Sequence, residues 1–133
     1  VTVHEVMSSD NGASVYEAAD RYVAQLRGVK MDLCILGLGP DGHVASLFPM
    51  HWSSQATDAA IAVADSPKPP AERVSFSMAF INSSDQVWII ASGKIKAAAA
   101  RAVLEADLSV PAGHVQATRL TRLLLDTEAF SHR

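Results

Sequence analysis

The stretch Asp32-Leu33-Cys34-Ile35-Leu36-Gly37-Leu38-Gly39-Pro40-Asp41-Gly42-His43 decides how this chain is read. Its first half, Asp32 to Gly37, is a short and nearly continuous apolar run, the pattern of a strand buried on both faces of a parallel sheet. The run passes straight into a glycine-rich loop. In open parallel sheets ligands bind beyond the carboxyl ends of strands, so this loop is the first place to look for a site.

Outward from it, the chain alternates strands and helices. Val1 to Val6 reads as a strand and Ser8 to Gly12 as a turn. Ser14 with Glu17 three residues later forms a capping box, and Val15, Ala18, Ala19, Tyr22, Val23 and Leu26 share one helical face before Gly28 ends the helix. Ala60 to Ala64 and Val74 to Met78 read as strands, separated by the stiff Ser66-Pro67-Lys68-Pro69-Pro70. Gln86 to Ala91 is a further strand. Gly93 then leads into an alanine-rich helix from Lys94 to Glu105, and Leu123 to Leu125 is a last short strand. The pattern predicts an α/β fold with a mostly parallel sheet flanked by helices, and one α/β domain over residues 1–133. Gly37 to His43 and Ser92 to Lys96 both follow strands, so two loops are expected to converge on one site.

With 133 residues, 49% hydrophobic and 19% charged, the chain can bury a core. Eleven Lys and Arg against fourteen Asp and Glu give a net charge of −3, which argues against nucleic acid or an anionic membrane as partner. Any recognition of phosphate is therefore local. The apolar runs are too short for a membrane-spanning helix. The single Cys34 cannot form an intrachain disulfide, and a cytoplasmic location is expected; within its apolar run Cys34 reads as a buried structural thiol.

Gly37-Leu38-Gly39-Pro40-Asp41-Gly42 satisfies the spacing of a dinucleotide-binding loop, with Asp58 21 positions beyond Gly37. The chemistry opposes that reading, because Asp41 adds a carboxylate where a pyrophosphate would lie and Pro40 lacks an N–H. A Walker loop fails at His43-Val44. Two residues apart, Asp41 and His43 suit a carboxylate orienting an imidazole for proton transfer; a capped turn is an equally good reading of the residues alone. His43 and His51 lack the Cys, His or acidic neighbours of a zinc site, so no metal is expected. Lys68 lies on a proline-stiffened loop, and Lys94 and Lys96 open a helix against its dipole, a hint of an anion nearby. Arg73 suits a bidentate phosphate contact or a surface ion pair.

Asp32 to Pro49 as a whole closely resembles the signature of the 6-phosphogluconolactonases. Asp65 to Pro70 leading into Arg73-Val74-Ser75-Phe76-Ser77, and Val87 to Gly93 with Lys96, continue the resemblance in the family's order. It implies a modified Rossmann-like fold and hydrolysis of 6-phospho-D-glucono-1,5-lactone to 6-phosphogluconate in the oxidative pentose phosphate pathway, without metal or nucleotide cofactor. His43 becomes the expected general base with Asp41 behind it, and backbone N–H groups of the loop are expected to steady an oxyanion. Gly37, Gly39, Gly42, Lys68, Arg73 and Lys96 are the expected substrate-binding residues, with Lys96 and Arg73 ahead of Lys68 for the phosphate. The glucosamine-6-phosphate deaminases share the fold and the glycine-histidine core, but Ala45-Ser46-Leu47-Phe48-Pro49 departs from their continuation. Family members also carry an upstream region with its own phosphate loop, so the chain resembles the C-terminal half of a lactonase and an incomplete domain. That implies self-association or pairing with an N-terminal half. A non-catalytic sugar-phosphate-binding or assembly module is the remaining alternative.

Overall fold

The computed structural model describes residues 1–7 and 9–131. Three strands form a parallel sheet in the order β1-β4-β5: β1 (Leu33–Gly37), β4 (Gln86–Ala91) and β5 (Leu120–Leu125). Between them in the chain, β2 (Ala60–Val63) and β3 (Arg73–Phe76) pair antiparallel as a separate ribbon. The register sets Gly37 opposite Ile90 and Ala91 opposite Leu125, so the three sheet strands end at one edge.

Helix α1 (Val15–Gln25) carries the full capping box, with the Ser14 hydroxyl accepting from the Glu17 N–H at 3.2 Å and the Glu17 carboxylate accepting from the Ser14 N–H at 3.1 Å. Its apolar stripe of Val15, Ala18, Ala19 and Tyr22 is buried, and the helix packs on the β2–β3 ribbon, where the Tyr22 ring stacks on Phe76 with centroids 5.9 Å apart. A short helix α2 (Met78–Asn82), capped by Ser77, was not evident from the sequence because five residues show no helical period. The chain after Gly93 makes one 3₁₀ turn, Lys94–Lys96, before α3 (Ala97–Leu104). Ala99 and Ala100 of α3 join Cys34, Leu36, Val87 and Ile89 in the main core, so helices cover one face of the sheet.

The other face differs from expectation. Leu33 and Ile35 on β1, Ile90 on β4 and Leu124 on β5 are exposed, Ile35 by 60%. The continuous apolar run of β1 is therefore buried on one face only, because no described element packs on the second and β1 is an edge strand. Val1 to Val6 forms no strand and lies extended and exposed, without a partner strand among the described residues. The expected turn at Ser8 to Gly12 is a single 3₁₀ turn at Ser9–Asn11; Ser8 itself lies outside the described residues. Among the described residues no helix is long and apolar enough to cross a membrane.

Two consequences of this core can be measured. Ile89 is fully buried at the centre of the sheet, so Ile89→Ala should cost about 2–5 kcal/mol, read as a lowered urea midpoint with little change in slope. Burial pushes the Cys34 thiol up to about 11, so a thiol reagent at pH 8 should label the folded protein far more slowly than the urea-unfolded chain. Equal labelling rates in the two states would contradict the buried placement.

Candidate active site

The loop that follows β1 closes on itself. The Gly39 N–H donates to the His43 carbonyl at 2.9 Å, and the Gly42 N–H donates to the Gly39 carbonyl at 3.0 Å. No helix follows. Instead Leu47 turns back to donate to the Val44 carbonyl at 2.9 Å, and Val44, Leu47 and Phe48 are driven almost completely into the core. A dinucleotide loop needs a helix N-terminus aimed at the pyrophosphate, so the observed turn removes the physical basis of that reading.

This plug of apolar side chains fixes His43 from behind. The imidazole lies against the buried Phe48 ring with centroids 4.5 Å apart. Its Nδ1 is 2.6 Å from Oδ1 of Asp41, and the same oxygen accepts from the His43 backbone N–H at 3.3 Å. Burial pushes the Asp41 carboxyl up, but hydrogen bonds from the His43 ring and backbone, together with its charge, outweigh this and hold it below the ordinary carboxylate value. An ionised carboxylate only accepts, so Nδ1 carries the proton and Nε2 is the nitrogen left for chemistry. Gly39 is required by the packing, since a Cβ there would fall on the imidazole Nδ1 and would stand 2.6 Å from the Asp41 carboxylate.

A cavity of about 440 Å³ opens beside this pair, lined among others by Gly37, Gly39, His43, Lys68 and Lys96. Lys96 reaches it from the loop after β4, with its Nζ donating to the Leu38 carbonyl at 2.6 Å. The segments that leave β1 and β4 thus meet. An ammonium has three donors, so Lys96 keeps capacity for an anion while bound to Leu38. Lys68 lines it from the proline-rich loop between β2 and β3. Gly42 lies behind the loop, buried, its carbonyl accepting from the Ala112 N–H at 2.9 Å, and does not line the cavity.

Arg73 is outside the cavity lining as well. Its Nε donates to the Pro70 carbonyl at 3.0 Å, and Nη2 donates to the carbonyls of Lys68 at 2.9 Å and Pro69 at 3.2 Å, while the guanidinium lies 5.4 Å from the centroid of Phe48. Arg73 therefore holds the backbone of the loop that presents Lys68, which differs from the direct phosphate contact expected ahead of Lys68. Phe48 contacts both Arg73 and His43, a link that the sequence does not reveal. The N–H groups of Gly39, Gly42 and His43 are engaged within the loop. Among the described residues no group of three or more His, Cys, Asp and Glu side chains gathers as a metal site would require.

A smaller cavity of about 210 Å³ beside α3 is walled by alanines, Leu104, Leu125 and Phe130; its one cation, Arg101, is paired with Glu105 at 2.7 Å. It lacks the carboxylate, imidazole and lysine side chains that come together at His43.

The model of the family described as glucosamine-6-phosphate isomerases/6-phosphogluconolactonase matches residues 1–124. The chain is 39% identical over 140 residues to 6-phosphogluconolactonase 3, chloroplastic, of Arabidopsis thaliana, covering 97% of this chain and 43% of that protein. It is 38% identical over 121 residues to the 6-phosphogluconolactonase of Rattus norvegicus, covering 84% and 47%. Among solved structures, 6-phosphogluconolactonase from Thermotoga maritima superposes with a TM-score of 0.77 at 29% identity, over 87% of this chain and 53% of that one. A monomeric glucosamine-6-phosphate deaminase gives 0.75 at 24% identity over 92% and 57%, a likeness of fold alone. The chain spans about half the length of the curated relatives it matches. The chain belongs to the glucosamine-6-phosphate isomerase and 6-phosphogluconolactonase family.

Proposed function

We propose that this chain carries the catalytic half of a lactonase that hydrolyses 6-phospho-D-glucono-1,5-lactone to 6-phosphogluconate. The observation that carries the reading is the 2.6 Å pair of Asp41 and His43 at the wall of a cavity that Lys68 and Lys96 also line. In the proposed reaction His43 Nε2 takes a proton from water as its oxygen attacks the lactone carbonyl carbon. Asp41 stabilises the imidazolium so formed. The tetrahedral intermediate then collapses with cleavage of the bond to the ring oxygen, and His43 returns the proton to that oxygen as it leaves. No cofactor takes part in these steps.

Lys68 and Lys96 are the proposed partners of the substrate's phosphate and of charge developing at the carbonyl oxygen. The N–H groups of Gly39, Gly42 and His43 are engaged within the loop, and the two lysines that line the cavity supply positive charge there. Gly37 and Gly39 contribute close backbone approach. Lactone hydrolysis is favoured over deamination because curated relatives named lactonases reach 39% identity, whereas the deaminase likeness lies in the fold. A cytoplasmic setting belongs to the same proposal, supported by the lone buried, unpaired Cys34.

Residues 1–133 would form part of a larger α/β unit, with the exposed sheet face at Leu33, Ile35, Ile90 and Leu124 and the open edge of β1 receiving the half that the longer relatives carry. Apolar exposure next to an unpaired strand edge, in a chain half its relatives' length, supports that occupant.

Four outcomes are expected. His43→Ala should lower turnover of freshly made lactone, corrected for spontaneous hydrolysis, by about 10²–10⁴-fold, to the level of background. Asp41→Asn should lower it less. Gly39→Ala should act like a loss of Asp41, because the new methyl displaces the imidazole; unimpaired turnover would remove the proposed role of the pair. Mixing the chain with a polypeptide corresponding to the upstream half of a relative should raise turnover and quench binding of an apolar dye. If sedimentation instead shows the chain alone forming a dimer that is already active and dye-silent, the exposed face is covered by a second copy.

A further inference from the structure

We infer that Asp126 is a positioning residue that delivers Lys96 to the site, its carboxylate clamping the turn after β4 on which Lys96 is carried. What Lys96 then binds rests on the lactonase reading; how it is held rests on geometry alone.

Strands β4 and β5 run parallel and end together, Ala91 opposite Leu125, so Ser92 and Gly93 emerge beside Asp126. The Ser92 hydroxyl donates to Oδ2 at 2.6 Å, and the Gly93 N–H donates to both carboxylate oxygens at 3.1 and 3.0 Å. The Ala129 N–H adds a further bond to Oδ1 at 2.8 Å. All three donor groups are neutral, and they hold the carboxyl below its ordinary value, the Ser92 hydroxyl most strongly. Asp126 is thus the hub of a turn, with no cation paired to it among the described residues.

The turn needs such a hub. Gly93 has φ +92°, a conformation that other residues rarely adopt, and glycine there is entropically costly to order. From Gly93 the geometry passes directly to the site. The Gly93 carbonyl accepts the Lys96 N–H at 3.0 Å, closing the 3₁₀ turn, and the Lys96 ammonium crosses to the Leu38 carbonyl at 2.6 Å. Asp126, Gly93, Lys96 and Leu38 form one chain of hydrogen bonds that joins the ends of all three parallel strands. Without the carboxylate, Gly93 is free to leave its positive φ, the single turn Lys94–Lys96 loses its start, and the ammonium loses its seat beside the glycine-rich loop.

The test combines amide hydrogen exchange with titration of 6-phosphogluconate into wild type, Asp126→Ala, Lys96→Met and the double variant. In Asp126→Ala the Gly93 and Lys96 amides should lose protection while the β1–β4 amides keep theirs, and affinity should fall roughly tenfold, as in Lys96→Met. The double variant should bind within about twofold of Lys96→Met, because both substitutions remove the same interaction. Additive losses, or unchanged protection at Lys96, would overturn the inference. Should Asp126→Ala fail to fold, Ser92→Ala removes one donor and should still weaken protection at Lys96; no change there would also overturn it. A wild type that binds no 6-phosphogluconate even with the upstream half supplied defeats the lactonase reading, and exchange at Lys96 then decides the clamp by itself.

Discussion

Parallel pairing of β1 with β4, in the register that sets Gly37 opposite Ile90, is the constraint on which the candidate site depends. Parallel strands send their carboxyl ends to the same edge, so the segments leaving β1 and β4 start as neighbours although more than fifty residues separate them in the chain. The register is held by Cys34, Leu36, Val87 and Ile89, all facing the core. A slip of β1 by one residue would turn Cys34 and Leu36 to the opposite face and carry Leu38 away from Lys96. The hydrophobic pattern of two short strands therefore sets a polar contact at the sheet edge.

Within that frame the imidazole is fixed by packing more than by its own loop. Asp41 supplies one hydrogen bond, but the plane behind His43 is Phe48, buried because Val44, Leu47 and Phe48 replace the helix that ordinarily follows a glycine-rich turn. Arg73 also lies over the Phe48 ring and grips the carbonyls of Lys68, Pro69 and Pro70. One guanidinium thus links the position of the cation on Lys68 to the support of the His43 imidazole. An Arg73 variant would disturb both at once, through a residue that need not touch the ligand.

Much of this architecture is legible in the residues because it is local. The capping box of Ser14 and Glu17, the apolar stripe of α1 and the strand at Gln86–Ala91 depend on spacing within a dozen residues, and they occur where spacing puts them. The Asp41-Gly42-His43 contact is local too. What spacing cannot carry is pairing across the chain. Arg73 has the composition of a phosphate ligand, and its turn toward three carbonyls follows from the path of a proline-rich loop. Asp126 meets Ser92 and Gly93 across 34 and 33 residues, so it has no sequence signal beyond being an acidic residue after a strand. The apolar run of β1 is the instructive case: its composition is that of a strand covered on both faces, and the described residues cover one.

The distribution of charge explains how a chain with a net charge of −3 can present the site proposed above for an anionic sugar. Long-range attraction of an anion is weak under such a balance, and at physiological salt it is screened within about 8 Å. Recognition then depends on where the few cations are fixed. Lys68 rides on a loop stiffened by prolines and held by Arg73, and Lys96 is seated on a backbone carbonyl by a turn that a carboxylate organises. In each case the ordering of a long, flexible side chain is carried by the fold before any ligand arrives, which lowers the entropy lost on binding. Asp126 contributes to this from outside the cavity, bonded to neutral donors, so its negative charge does not neutralise Lys96 by direct pairing. An acidic residue can in this way help to hold a cation for an anionic ligand: it organises the backbone that carries the lysine and leaves the ammonium itself unpaired.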